Sequence, residues 1–276
     1  MPLKSEVLDT LRVDPGEPAK LLKRSTRDTL GLAGKTETKE WLDEHGTELA
    51  TLQGRLWAER TRAVLVVLQG MDSSGKDGTI KHVMSGLNPS AVRIAAFGAP
   101  SSRERSHDYL GRVQAVCPPR GYIGVFNRSH YEDIVTAPVE ELVDARTAKK
   151  RIAHINDFER MLVDEGTSIL KVFLHISSDE QAERLRARIL DPEKSWKFDR
   201  SDLDTRSRWD AYSAAYEKVI SATSTSHAPW YVVPADRKWV RNAAVAGLLH
   251  RELIRLDPKT PEPRPELAKL QGILGI

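Results

Sequence analysis

The chain has 276 residues, 40% of them hydrophobic and 29% charged, with a formal net charge of +3 and a single cysteine. That is enough apolar material for one large α/β domain or a domain with an appendage, and it excludes an internal disulfide as well as the dense basic surface of a dedicated nucleic-acid binder. No run of 18 apolar residues and no basic start followed by an apolar stretch is found, so we expect a cytoplasmic protein with no membrane and no nucleic-acid partner.

The first sixty residues lack strand signals. LRVDPGEPAKLLKRST, residues 11–26, reads as an extended, Pro-containing arm with a basic cluster that wraps the surface. From 36 to 62, Trp41, Leu42, Leu49, Leu52, Leu56 and Trp57 recur near helical spacing and predict a packing helix. Short apolar runs then alternate with helical patterns, the signature of a mostly parallel sheet covered on both faces. The predicted strands are AVLVVLQ (63–69), AVRIAAF (91–97), YIGVF (122–126), SILKVFLHI (168–176) and PWYVVPA (229–235). Predicted helices cover 76–87, 102–115, 145–165, 179–190, 203–224 and 238–257. The expected fold is therefore three-layer α/β with a five-stranded, mostly parallel sheet. We divide the chain into an N-terminal arm and helix (1–62), a main domain (63–257) and a Pro- and charge-rich loose tail (258–276). Trp-bearing helices near both ends leave room for subunit contacts, and we expect a homo-oligomer, a dimer or tetramer. Cys117 has no metal-ligand companion and reads as a buried or half-buried thiol.

GMDSSGKDGT, residues 70–79, follows an apolar strand and opens a helical pattern, the context of a phosphate-gripping loop. Gly70, Gly75 and Lys76 fall on the G-x-x-x-x-G-K marks; Ser73, Ser74, Gly78 and the backbone around them complete the cradle, and the helix presents its positive end. Asp77 stands where a hydroxyl usually helps hold magnesium. A carboxylate in a first helical turn is favoured by the exposed N–H groups there. Asp72 reads as a ligand of Mg2+, with Mn2+ as a substitute, because a carboxylate beside phosphates needs a divalent ion to neutralise both. A second motif, GVFNRSHYEDI (124–134), runs off a strand at the same edge of the sheet, where open parallel sheets gather their sites. Arg128 offers a two-pronged phosphate contact, Glu132 and Asp133 offer carboxylates for metal, and His130 reads as a hydrogen-bonder and not a base.

Together these motifs resemble the polyphosphate kinase 2 family, which is similar to P-loop kinases of the thymidylate kinase type. GMDSSGKDGT is similar to its Walker A variant, in which Gly or Asp commonly follows the lysine. FNRSHYED resembles its Walker B region, LDPEKSWKFDRSDL with RWDAY its lid module, and FGAPSSRERSHDYLGR the segment facing the acceptor nucleotide. Asn127 stands where many members carry Asp, and NRSHYED resembles the class III subgroup, which phosphorylates nucleoside mono- and diphosphates. The resemblance spans about residues 56–249. It implies a P-loop kinase-like fold with a helical lid at about 184–208, and reversible, Mg2+-dependent phosphoryl transfer between inorganic polyphosphate and adenine or other purine nucleotides.

On that reading Arg184, Arg188, Lys194 and Lys197 reach over the loop as a basic lid. Trp196 and Phe198, interleaved with the lysines, are more than a solvated charged face needs. On the acceptor side Phe97 packs against a base beside Gly98, Arg105 and Arg112 point to one phosphate two helical turns apart, and Asp108 orients an arginine; Asn127 and Arg128 border the same nucleotide. Asp72, Lys76, Arg128, Glu132 and Asp133 form the expected catalytic set, which works by alignment and charge neutralisation. The competing readings are an ATP-dependent nucleoside monophosphate kinase and a nucleic-acid-stimulated P-loop ATPase.

Overall fold

All of residues 63–69 are buried, which only a strand covered on both faces allows. In the computed structural model, which describes residues 3–264 together with Glu266 and Ile273, this strand is central to a sheet of six among the described residues. The chain opens with helix α1 (Ser5–Asp9), strand β1 (Arg12–Val13) and the long helix α2 (Lys35–Glu59), and then enters β2 (Ala63–Gln69). Helix α3 (Lys76–Met84), β3 (Val92–Ala96), the short helices α4 (Ser102–Arg105) and α5 (Gly111–Gln114) and β4 (Ile123–Asn127) follow. Next come α6 (Thr136–Val139), α7 (Ala145–Asp164), β5 (Thr167–His175), α8 (Ser178–Leu190), α9 (Ser201–Ser207), α10 (Trp209–Thr223), β6 (Trp230–Pro234) and α11 (Lys238–Leu256).

The strand order is β1-β6-β5-β2-β4-β3, with β2, β3, β4, β5 and β6 parallel and β1 antiparallel at one edge. Side chains alternate across β2. Val64, Val66 and Leu68 join a core with α2, α3 and α11, while Leu65 and Val67 join a second core with α7 and α10. That alternation builds the three layers, and the parallel run gathers the carboxyl ends of β2 and β4 at one rim.

The sheet has one strand more than the five expected. β1 was missed because two residues carry no periodic signal; it pairs Arg12 with Tyr231 and Val13 with Trp230 and covers the edge of β6. The arm around it is tied down: Glu217 accepts from the Lys20 and Leu21 N–H groups, and Arg24 donates to the Thr10, Leu11 and Arg12 carbonyls.

Two helices expected to be continuous are broken. The span 102–115 splits because Ser101 and Glu104 form a capping box for α4, while Asp108 accepts from the Leu110 and Gly111 N–H groups and starts α5 anew. The span 203–224 breaks at Arg208, whose φ of −107° and ψ of 26° leave the helical region. No helix among the described residues is long and apolar enough to cross a membrane. The tail after Asp257 falls partly outside the described residues.

Candidate active site

The loop between β2 and α3 is shaped by close backbone approach. Gly70 has φ +150°, and a Cβ there would meet the Leu174 carbonyl at 2.8 Å. Ser73 and Gly75 also have positive φ, and Gly75 leads directly into α3, so the first N–H groups of that helix open at the loop. Lys76 is buried and its Nζ donates to the Gly70 and Met71 carbonyls at 2.8 and 3.3 Å. Burial pushes this ammonium below its usual range, against the opposing pull of Asp72. Ser74 Oγ is buried and, among the described residues, has no hydrogen-bond partner.

Arg128 sits at the end of β4 in the left-handed region, φ +61°, a costly conformation for a side-chain-bearing residue. Its Nη2 donates to Asp72 Oδ1 at 2.6 Å, which ties the end of β4 to the phosphate loop. Burial works against the charge, but Glu132 and Asp72 outweigh it and hold the guanidinium firmly protonated. One residue earlier, Asn127 Nδ2 donates to Asp77 Oδ1 at 2.6 Å. The carboxylate that stands in place of a hydroxyl is thus part of a second tie between the two motifs.

Glu132 and Asp133, adjacent in a tight turn over 130–133, diverge. With the Gln69 amide oriented to satisfy its neighbours, it donates to Glu132 Oε1 at 3.0 Å and accepts from the Ser129 N–H and hydroxyl; Thr136 Oγ1 donates to Glu132 Oε2 at 2.7 Å. Asp133 is instead paired with Arg151 at 3.3 Å and Arg112 at 3.8 Å. Burial pushes its carboxyl up, and the two arginines oppose that shift. Among the described residues no group of three or more His, Cys, Asp or Glu side chains stands ready to hold a metal ion. Asp72, Glu132 and Asp133 therefore form no ready-made three-carboxylate cage.

His130 and Tyr131 occupy the inner side of the same turn. Glu159 Oε1 accepts from the Tyr131 hydroxyl at 2.7 Å and faces His130 Nε2 at 3.2 Å, while Lys171 Nζ donates to Glu159 Oε2 at 2.6 Å, to the Thr223 carbonyl at 2.6 Å and to the Tyr131 oxygen at 2.9 Å. Glu159 and Lys171 are 1% and 0% exposed. His130 serves as a hydrogen-bonding strut.

The lid residues separate into distinct roles. Arg188 reaches the loop as expected: Nη2 donates to Ser73 Oγ at 2.9 Å and Nη1 to Asp202 at 3.0 Å. Arg184 does not present itself to a phosphate. Its Nε donates to Glu180, Nη1 to the Ser73 and Ser74 carbonyls, and Nη2 to the Ala235 and Asp236 carbonyls, so all five N–H donors are used in stitching the loop to the end of β6. Lys194 pairs with Asp191 on the surface, and the side chain of Lys197 lies outside the described residues. Trp196 is 75% exposed, with its indole N–H donating to the Glu193 carbonyl.

On the acceptor side, Phe97 is a core residue, edge-on to Phe126 at 5.0 Å with Arg112 over its ring at 5.5 Å. Arg112 Nη1 donates to the Gly98 carbonyl at 3.0 Å. Arg105 does not join it: with the helix broken, Arg105 is exposed and donates to the Pro100 carbonyl and Ser102 Oγ. Asp108 caps α5, and among the described residues no arginine pairs with it. Arg151, which lies over the Tyr109 ring at 4.5 Å, is the arginine that stands with Arg112 beside Asp133. The sequence reading missed Arg151, Gln69 and Arg241. Their only signal is a polar residue inside an apolar or surface-helix pattern, and that does not say what it faces. Cys117 is half-buried, and burial pushes its thiol up to about 11.

Residues 33–260 match the family model described as Polyphosphate kinase 2 (PPK2). An AMP/ADP-polyphosphate phosphotransferase of Meiothermus ruber is 47% identical over 94% of this chain and 97% of that protein. An ADP-polyphosphate phosphotransferase of Rhodopseudomonas palustris is 39% identical over 94% of this chain and 93% of that protein. The crystal structure of Polyphosphate Kinase 2 from Arthrobacter aurescens TC1 superposes with a TM-score of 0.94 at 40% identity, covering 99% of this chain and 98% of that one. The chain belongs to the polyphosphate kinase 2 family.

Proposed function

We propose that this member of the family transfers phosphoryl groups reversibly between inorganic polyphosphate and both nucleoside mono- and diphosphates, AMP to ADP and ADP to ATP, as class III enzymes of the family do. The observation that carries this reading is the junction of the two motifs. A loop with open helix N–H groups and Lys76 is tied by Arg128–Asp72 to a strand end, beyond which Arg112 and Arg151 gather around Asp133. Two cationic clusters at one rim suit two polyanions placed end to end. The 47% identity to a protein named for both AMP and ADP supports the double acceptor range.

In the proposed reaction the terminal phosphoryl of polyphosphate lies in the loop, held by backbone N–H groups, Lys76 and Arg128. Lys76 already rests against the carbonyls of its own loop, so it moves little to meet a phosphate oxygen. A terminal oxygen of the nucleotide attacks in line, the new P–O bond forms as the phosphoanhydride bond of the chain breaks, and the shortened chain leaves with the electron pair. An already ionised phosphate gives up no proton, so no base is required. Arg112 and Arg151 hold the acceptor, and Arg188 closes from the lid onto the loop.

Magnesium fits this site on the chemistry of its donors. The ion prefers oxygen, needs one or two carboxylates and completes its shell with water and substrate phosphates, so the lack of a three-carboxylate cage is no obstacle. Asp72 and Glu132, which both act on Lys76 and Arg128, are the residues we assign to it, with Mn2+ as a substitute. When bound, the ion supplies neutralisation of charge on the phosphoryl oxygens. A homo-oligomer remains part of the proposal.

The test is a donor assay with AMP or ADP as acceptor, polyphosphate or ATP as sole donor, and Mg2+. The proposal predicts ADP and then ATP from AMP and polyphosphate. Phosphorylation of AMP from ATP alone, with none from polyphosphate, would overturn it.

A further inference from the structure

Helix α11 is buried along most of its first three turns, and within that stretch Arg241 is 2% exposed beside the phosphate loop. Its Nη1 donates to the Ser74 carbonyl at 3.2 Å, and Nε and Nη2 donate to the Asn242 side-chain oxygen at 3.1 and 2.8 Å. Among the described residues no carboxylate pairs with it, and the charge that acts on it is another cation, Arg184. Burial first, and Arg184 second, bring the guanidinium down to about 10, which still leaves it charged at neutral pH. A buried cation without a counter-charge destabilises the fold that carries it.

The loop is nevertheless built around this side chain. A Cβ at Gly75 would meet Arg241 Nη1 at 1.8 Å, and one at Gly78 would meet Nη2 at 3.2 Å. Glycine at both positions therefore leaves room for the guanidinium, which explains part of the GKDG run. The contact has a direction as well. In a trans peptide the carbonyl and the N–H point opposite ways, so a cation holding the Ser74 carbonyl turns the Gly75 N–H to the other side of the loop and polarises it as a donor.

The geometry points to Arg241 as a positioning residue for the condensed-phosphate donor: its buried charge aims and polarises the loop's N–H groups, and the polyanion supplies the counter-charge that the protein withholds. This rests on the proposed function, since it takes the loop to be the donor site.

The test compares Arg241→Met and Arg241→Gln, which lose the charge, with Arg241→Lys, which keeps a charge without the fork. Calorimetric titration with tripolyphosphate is expected to show affinity weakened about tenfold in the uncharged variants and within about twofold of wild type in the lysine variant. In turnover, the KM for polyphosphate should rise in parallel, with kcat and the KM for AMP little changed. A purely structural role would move stability and kcat together and would not be rescued by lysine. Wild-type affinity in Arg241→Gln or Arg241→Met, or a lysine variant as weak as they are, overturns the inference. A wild-type protein that binds tripolyphosphate at another place, or not at all, overturns the function reading itself.

Discussion

Lys171 and Arg241 are both buried cations on elements that support the same rim, and their surroundings are opposite. Lys171 uses all three ammonium hydrogens, one of them on Glu159, within a closed network that also holds His130 and Tyr131. Arg241 has a carbonyl and an amide oxygen for company and a second arginine nearby. The acidic turn over 130–133 is therefore completed by the protein alone, which fixes where Glu132 and Asp133 point before any ligand arrives. Around the phosphate loop Asp72 pairs with Arg128 and Glu180 with Arg184, while Arg241, among the described residues, is paired with no carboxylate and is left for an incoming anion to balance. The second arrangement gives up stability for affinity, a division expected where one region orients and the other captures.

The largest effect should come from opening the closed network. Glu159→Gln leaves Lys171 buried without its counter-charge, and denaturant unfolding should show a loss of about 3–5 kcal/mol. Replacing both partners by apolar residues, Glu159→Leu with Lys171→Met, should recover most of it. A single variant as stable as wild type would mean that the pair is not what holds the turn.

Next in size, Lys76→Ala should cut polyphosphate-dependent turnover by about 10²–10³ with no loss of Tm, because a desolvated ammonium is removed together with the phosphate contact. Near-normal turnover would take Lys76 out of the site. Smaller again, Asp133→Asn releases Arg112 and Arg151 from their shared carboxylate and should raise the KM for the nucleotide about tenfold, with the KM for polyphosphate unchanged. A change confined to the donor KM would place Asp133 on the phosphate-loop side. The smallest effect belongs to the surface. Lys194→Ala should leave Tm unchanged, since its pair with Asp191 is exposed, and should weaken binding of long polyphosphate more than short. An unchanged chain-length dependence would remove Lys194 from the donor track.

The central strands were legible because a parallel sheet buried on both faces leaves continuous apolar runs: 63–69 was read to the residue and the other parallel strands to within two residues at each end. The phosphate loop was legible because glycine, lysine and a following helix occur together at a fixed spacing. Local hydrogen bonds hid the rest. Asp108 and Ser101 end or start helices through side-chain contacts that apolar periodicity does not register, and β1 is too short to have a period. Arginines posed the hardest problem. Arg184 and Arg188 lie four apart on one helix and look equivalent in sequence, yet the first is spent on five backbone and side-chain acceptors and the second reaches Ser73. Which acceptors surround a guanidinium is set by distant segments, here the end of β6 and the phosphate loop.

The account turns on two polyanions meeting between the loop and the acidic turn. The most direct measurement is a crystal structure with tripolyphosphate and AMP diffused into the protein. The account predicts a terminal phosphate within hydrogen-bonding distance of both Lys76 Nζ and the Arg128 guanidinium, with the AMP phosphate on the side of Arg112 and Arg151. Tripolyphosphate bound away from Lys76 and Arg128 would contradict it.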